Sequence, residues 1–135
     1  MKLHHIGIVC LESDINKFFF SPKKKHIYYD KIQKNKIFIG LNKHNKLWYE
    51  FIVPMSKRST VINFFEKNGP SIHHFAYQVN DFEKIVKDYK KRRNYIFIRE
   101  FKTNIPCFGG KLKTAFFFNN NIFIEFLKNE KSSTK

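Results

Sequence analysis

Two histidine pairs and two isolated glutamates, repeated in the same order, are the residues of this chain best suited to chemistry. His4 and His5 lie in Leu3-His4-His5-Ile6-Gly7-Ile8-Val9, and His73 and His74 lie in Ile72-His73-His74-Phe75-Ala76-Tyr77-Gln78-Val79. Glu50 is the one acid in Leu47-Trp48-Tyr49-Glu50-Phe51-Ile52-Val53, and Glu125 is the one acid in Ile122-Phe123-Ile124-Glu125-Phe126-Leu127. A carboxylate among large apolar neighbours is costly to bury unless it is paired or bound to a metal. Imidazole together with carboxylate suits Zn, Co, Ni, Mn or Fe(II) better than Ca or Mg. A single strand histidine is more often structural, and a single strand glutamate can pair with a lysine. The matched placement of all four points instead to a ligand set.

The elements that must position these residues follow from the repeat. Side chains alternate faces along a strand. His5 therefore shares a face with Gly7 and Val9, and His74 shares one with Ala76 and Gln78. Each histidine has a small residue two positions on, which leaves room beside it. Glu50 shares a face with Trp48 and Ile52, and Glu125 with Phe123 and Leu127. His4 and His73 point the opposite way, and His26 and His44 have no evident partner. If the two copies pack about a pseudo-two-fold axis, His5, Glu50, His74 and Glu125 converge on one divalent cation. Two or more coordination positions then stay open, which is the pattern of a catalytic centre and not of a closed structural one.

Each copy reads as strand, helix and three strands. The expected strands lie near 2–10, 25–30, 35–41 and 46–53 in the first module, with a short helix near 13–20. In the second they lie near 72–79, 95–101, 112–118 and 121–128, with a helix near 81–92. Phe82, Ile85, Val86 and Tyr89 fall on one face of that helix, and Asn80 with Glu83 forms a capping box at its start. Ser59 to Asn68 reads as a linking helix with Val61, Ile62, Phe64 and Phe65 on its apolar side, stopped by Asn68-Gly69-Pro70. The expected fold class is α+β: two tandem βαβββ modules forming a curved mixed sheet that encloses a metal-binding cleft. Residues 1–135 read as one domain, with module one at about 1–58, the linking helix at about 59–69, module two at about 70–128 and a polar tail at 129–135.

Composition bounds the rest. A chain of 135 residues suits one domain that buries about two-thirds of its surface. Hydrophobic residues make up 42% and aromatic ones 18%, including seventeen Phe, so disorder of the whole chain is excluded. Strands are favoured over long helices by this content. No signal peptide opens the chain, and no run approaches the ~20 apolar residues that span a bilayer. A cytoplasmic location with Cys10 and Cys107 reduced is the expectation. The formal charge of +15 invites anionic partners, yet the lysines are scattered and accompany Asn, Ile and Phe, as an AT-rich genome would produce. Lys23-Lys24-Lys25 and Lys90-Lys91-Arg92-Arg93 read as solvated turns, and nucleic acid is not an expected partner, because no short basic-aromatic signature appears.

At these residues the chain resembles the vicinal-oxygen-chelate superfamily, which includes glyoxalase I, extradiol dioxygenases, bleomycin-resistance proteins and methylmalonyl-CoA epimerase. It is most similar to the epimerase-like branch. The likeness runs through Glu50-Phe51-Ile52-Val53-Pro54, then residues 59–69, then His73-His74-Phe75-Ala76-Tyr77-Gln78-Val79-Asn80-Asp81. Phe108-Gly109-Gly110 and Ile124-Glu125-Phe126 also match, and the first helix matches less well. The resemblance covers about residues 3–128 and implies His5, Glu50, His74 and Glu125 as ligands of one Co, Zn, Ni or Mn ion that chelates a carbonyl or carboxylate substrate. It implies an epimerase or isomerase that moves an α-proton through a metal-stabilised enolate, with Glu125 or Glu50 as general base. Trp48, Gln78, Phe108, Gly109 and Gly110 are the expected substrate-binding positions. The expected partners are a small-molecule substrate, an acyl thioester or another anionic metabolite, and a second copy of the chain in a homodimer; no membrane is expected. One departure stands out. Some epimerases use a further glutamate on a strand of module one as the second of two opposed bases, and Lys36-Ile37-Phe38-Ile39 contains no acid. The other readings compatible with the resemblance are a glyoxalase I-type lyase and a non-catalytic binder of small molecules such as antibiotics.

Overall fold

The computed structural model describes residues 1–130. The β-branched and aromatic runs form strands: β1 (Lys2–Val9), β2 (His26–Asp30), β3 (Asn35–Leu41), β4 (Trp48–Pro54), β5 (Ser71–Gln78), β6 (Ile96–Ile105), β7 (Gly110–Asn119) and β8 (Ile122–Asn129). Two α-helices, α1 (Ile62–Asn68) and α2 (Phe82–Lys90), and two 3-10 turns, Glu12–Lys17 and Pro106–Phe108, complete the order. The α+β class and the tandem modular organisation stand as read from the repeat. The chain divides into two compact units, His5–His73 and Met1–His4 with His74 onward.

In the His5–His73 unit the strands lie side by side in the order β2-β3-β4-β1. β1 pairs with β4 in parallel, and β3 pairs antiparallel with both β4 and β2. Alternation gives the pairing two different faces. On one, Ile8, Cys10, Phe38, Tyr49, Phe51 and Val53 form a core closed by Ile15 of the first 3-10 turn. On the other, Val9, Ile52 and Val61 cluster with Phe64 and Phe65 of α1. That second face also carries His5 and Glu50.

The second unit repeats the plan in the order β5-β8-β7-β6, again with one parallel pair, β5 with β8. Its core is Val79, Phe82, Val86, Ala115, Phe117 and Phe126, against which Tyr77, Ile85, Tyr89, Tyr95 and Ile124 pack. The predicted apolar face of α2 is therefore the face that docks on β7 and β8. Among the described residues no helix is long and apolar enough to cross a membrane.

Several boundaries differ from the sequence reading, each for a local reason. The first helix is a six-residue 3-10 turn, Glu12–Lys17, because the Leu11 N–H donates to Asp14 Oδ2 at 3.0 Å and the chain is extended again at Phe18. α1 starts at Ile62, not at Ser59. The Ser59 hydroxyl accepts from the Val61 N–H and donates to buried Asn35, which ties the entry to β3. Gly69, at φ 67°, ends that helix as expected, its N–H donating to the Phe65 carbonyl at 2.7 Å. α2 is capped by Asp81, whose Oδ1 accepts from the Lys84 N–H. Because the helix starts at Phe82, Asn80 lies outside the capping position, and Glu83 pairs instead with Lys113 at 2.8 Å. β8 runs to Asn129; the polar tail placed at 129–135 lies outside the described residues from 131 on.

Candidate metal centre

His5 is 2% exposed and Glu50 7%, and Nε2 of His5 lies 3.5 Å from Oε1 of Glu50. His74 is 2% exposed and Glu125 6%, and Nε2 of His74 lies 3.3 Å from Oε1 of Glu125. The two pairs are built alike. In the parallel pairing of β1 with β4, Gly7 stands opposite Glu50; in that of β5 with β8, Ala76 stands opposite Glu125. The residue facing each carboxylate is small, so the imidazole two positions earlier on the same face can lean across to it.

The donor chemistry fits a transition-metal ion. An N–H···O hydrogen bond is usually about 2.7–3.2 Å long. Both contacts are at or beyond the long end of that range. Nitrogen and oxygen donors each about 2.1 Å from a tetrahedral ion would lie about 3.4 Å apart, which matches both pairs. A carboxylate this well buried needs a cationic or protonated neighbour in either case. Burial pushes the Cys10 thiol up to about 12, with the Asp14 charge adding to the shift. It stays protonated and is no thiolate donor.

The remaining sequence-predicted positions divide into two groups. Trp48 is half-buried on β4, two residues before Glu50 and therefore on its face. Gln78 ends β5, exposed, on the face of His74. Phe108 sits elsewhere: it is buried in the second 3-10 turn, its ring edge-on to His4 at 4.6 Å. His73 packs edge-on to Phe64 in the same way at 4.8 Å. The outward histidines are thus packing groups against aromatic rings. Gly109 and Gly110, at φ 98° and 102°, form the turn into β7, and a Cβ on Gly109 would run into the Asn129 side-chain amide, which donates to the Phe108 carbonyl. Gly109→Ala is expected to destabilise the protein by about 1–2 kcal/mol, the left-handed penalty for a residue with a Cβ, measured by urea denaturation.

Beside Glu50 on β3 stands Ile39, fully buried, with Ile37 beside Ile52. The site face of that strand is apolar at these two positions and carries no acid, its one polar residue being Asn35 opposite Pro54. Beside Glu125 on β7 stands Phe116, edge-on to His74 at 5.3 Å. Phe116 was not singled out from the sequence. Its neighbours Phe117 and Phe118 make an unbroken aromatic run, in which no alternation marks the face.

No family model and no curated protein sequence matches the chain. Comparison with solved structures shows the fold. The crystal structure of methylmalonyl-CoA epimerase from Mycobacterium tuberculosis matches with a TM-score of 0.76 at 16% identity, covering 99% of this chain and 92% of that one. A hypothetical protein from Bacillus halodurans C-125 matches at 0.73 and 23% identity, covering 99% and 98%. A variant of Streptomyces coelicolor methylmalonyl-CoA epimerase, in complex with 2-nitronate-propionyl-CoA, matches at 0.71 and 16%, covering 96% and 95%.

Proposed function

We propose that this protein is a divalent-metal-dependent isomerase of the epimerase kind, acting on a small anionic substrate such as an acyl thioester. The observation that carries the reading is the repeated pair: a buried imidazole and a buried carboxylate, in the same register on two parallel strand pairs, at the donor spacing of a metal ligand set. The likeness of fold to proteins named as methylmalonyl-CoA epimerases adds to it.

His5, Glu50, His74 and Glu125 would hold one ion of the Zn, Co, Ni or Mn type. Such an ion supplies Lewis-acid stabilisation of the oxyanion that forms when a proton leaves the carbon α to a carbonyl. The chain's own part is to hold the substrate and move that proton. Glu125 or Glu50 serves as the base, since these are the acids of the two site faces. Ile39 and Ile37 offer no second base on β3, so inversion at the α-carbon requires that the proton removed from one face be replaced on the other face by the remaining acid, Glu50 or Glu125, or by water. The apolar strand neighbours Phe116 and Ile39 exclude water from the carboxylates and keep the proton from leaking to solvent.

Two measurements test this. Protein purified without chelator should contain near one equivalent of a divalent metal. Incubated in deuterium oxide with a panel of 2-methyl-branched acyl thioesters, it should wash deuterium into the α-position, read by mass spectrometry. A metal-free protein that cannot be reloaded, or a loaded one that exchanges no member of the panel, defeats the reading.

A further inference from the structure

β6 is not a regular partner of β7. Phe97 stands opposite Phe117, and Arg99 stands opposite Phe116, so Ile98 is an extra residue bulged out of the ladder. The bulge reverses the alternation. Phe97 lies against Phe117 on the α2 face, at 5.4 Å between ring centroids. Counted along the strand, Arg99 would share that face. It is turned instead to the face of Phe116, which stands opposite Glu125 in turn. Bulges of this kind re-aim single side chains beside functional sites.

What the bulge delivers is a guanidinium on an aromatic platform. The Arg99 Cζ lies 4.3 Å from the centroid of the Phe101 ring. Phe101 is parallel to Phe116, with centroids 5.9 Å apart and planes 1° apart, and Phe116 touches His74 edge-on. A continuous apolar strip therefore leads from the metal-ligand histidine to one exposed cation, all within one unit. Among the described residues no carboxylate pairs with Arg99. Glu130 pairs with Lys102 and Glu83 with Lys113, and Glu100, the next residue, alternates to the opposite face of β6 beside Ala115. Stacking on the ring holds the side chain in place while its N–H edge stays available.

We infer that Arg99, aimed by the Ile98 bulge and seated on Phe101, is a specificity residue that binds an anionic group of the substrate, a phosphate or a carboxylate, at the far end of the Phe116–Phe101 strip from the metal ligands. A planar guanidinium takes either group in a bidentate manner. The inference rests on the isomerase reading for its account of what the anion belongs to.

The test titrates the full-length protein, wild type and Arg99→Gln, with three probes followed by calorimetry: coenzyme A, which carries phosphates; malonate, which carries carboxylates alone; and pantetheine, which carries neither. Arg99→Gln should weaken coenzyme A or malonate about tenfold or more, as expected for losing a charge-assisted hydrogen bond, and leave pantetheine unchanged. Loss confined to coenzyme A assigns a phosphate, and loss confined to malonate a carboxylate. Phe101→Leu should weaken the same probe to a smaller degree, and Arg99→Lys should restore part of the affinity. Wild-type protein that binds neither anion, or a Kd for both that moves less than about twofold in Arg99→Gln, overturns the inference. Metal content is measured on the same samples. Arg99-dependent anion binding in a chain that takes up no metal refutes the isomerase reading alone, whereas full metal loading with anion binding indifferent to Arg99 refutes this inference alone.

Discussion

His74→Ala is expected to abolish metal binding while leaving the chain folded. Removing an outer-shell partner of a metal ligand already weakens affinity by about 10–100-fold, so deleting a ligand itself should lower it by more than a hundredfold. The measurement is metal per chain by elemental analysis, together with thermal unfolding with and without added zinc. Wild-type protein should gain about 2.7 kcal/mol when free zinc is a hundred times its Kd, and the variant should gain nothing. Without metal the substitution also removes the imidazole 3.3 Å from Glu125, so the apo variant should melt earlier than the apo wild type. His74→Gln restores a polar partner for the carboxylate and separates that loss from the loss of the ligand. Full metal retention in both variants would make His74 a core histidine and nothing more.

Phe126→Ala should have the largest effect on stability, a loss of about 3–5 kcal/mol. Its side chain is 1% exposed and lies 4.8 Å from Tyr89 and 5.7 Å from Phe117, ring centroid to centroid. Small domains are stable by only about 5–15 kcal/mol in all, so much of the margin goes. The consequence reaches the candidate metal centre, because Phe126 is the neighbour of Glu125 on the opposite face of β8. Its burial beneath α2 is what keeps the glutamate turned the other way; a one-residue slip would exchange the two. Urea denaturation checks the magnitude, and a loss under about 1 kcal/mol would show that this ring does not fix the strand.

The legible parts of this molecule are those where the repeat and the period of two agree. His5 and His74 could be assigned to strand faces because the residues after them alternate in size, and Glu50 and Glu125 because each is the one acid in an apolar strand run. Pairing each histidine with the glutamate of its own module required the register, which places Gly7 opposite Glu50 and Ala76 opposite Glu125; the sequence shows the small residues but not their partners. Phe108 packs its ring against His4 in the second 3-10 turn, a placement the sequence did not show because a glycine-flanked aromatic suits either a substrate loop or a packed turn. Arg99 was invisible for a sharper reason. A bulge leaves no mark in residue types, and counting by twos from Phe97 turns the guanidinium to the wrong side. The helix starts were missed by one to three residues because Ser59 and Asp81 accept the Val61 and Lys84 N–H groups at the helix entries, which puts the first helical residue after them.

The two units cover their cores unequally, one with the nine-residue α2 and the other with a six-residue 3-10 turn on one face and the seven-residue α1 on the other. None of these covers supplies a donor atom. Each unit carries its candidate pair on two parallel neighbours, and the spacing within each pair follows from their register. Remodelling the outer layer therefore changes the site only through the core it packs on, as α2 does through Phe126. A single inserted residue in β4 or β8 is not tolerated, since it would send a carboxylate to the greasy side.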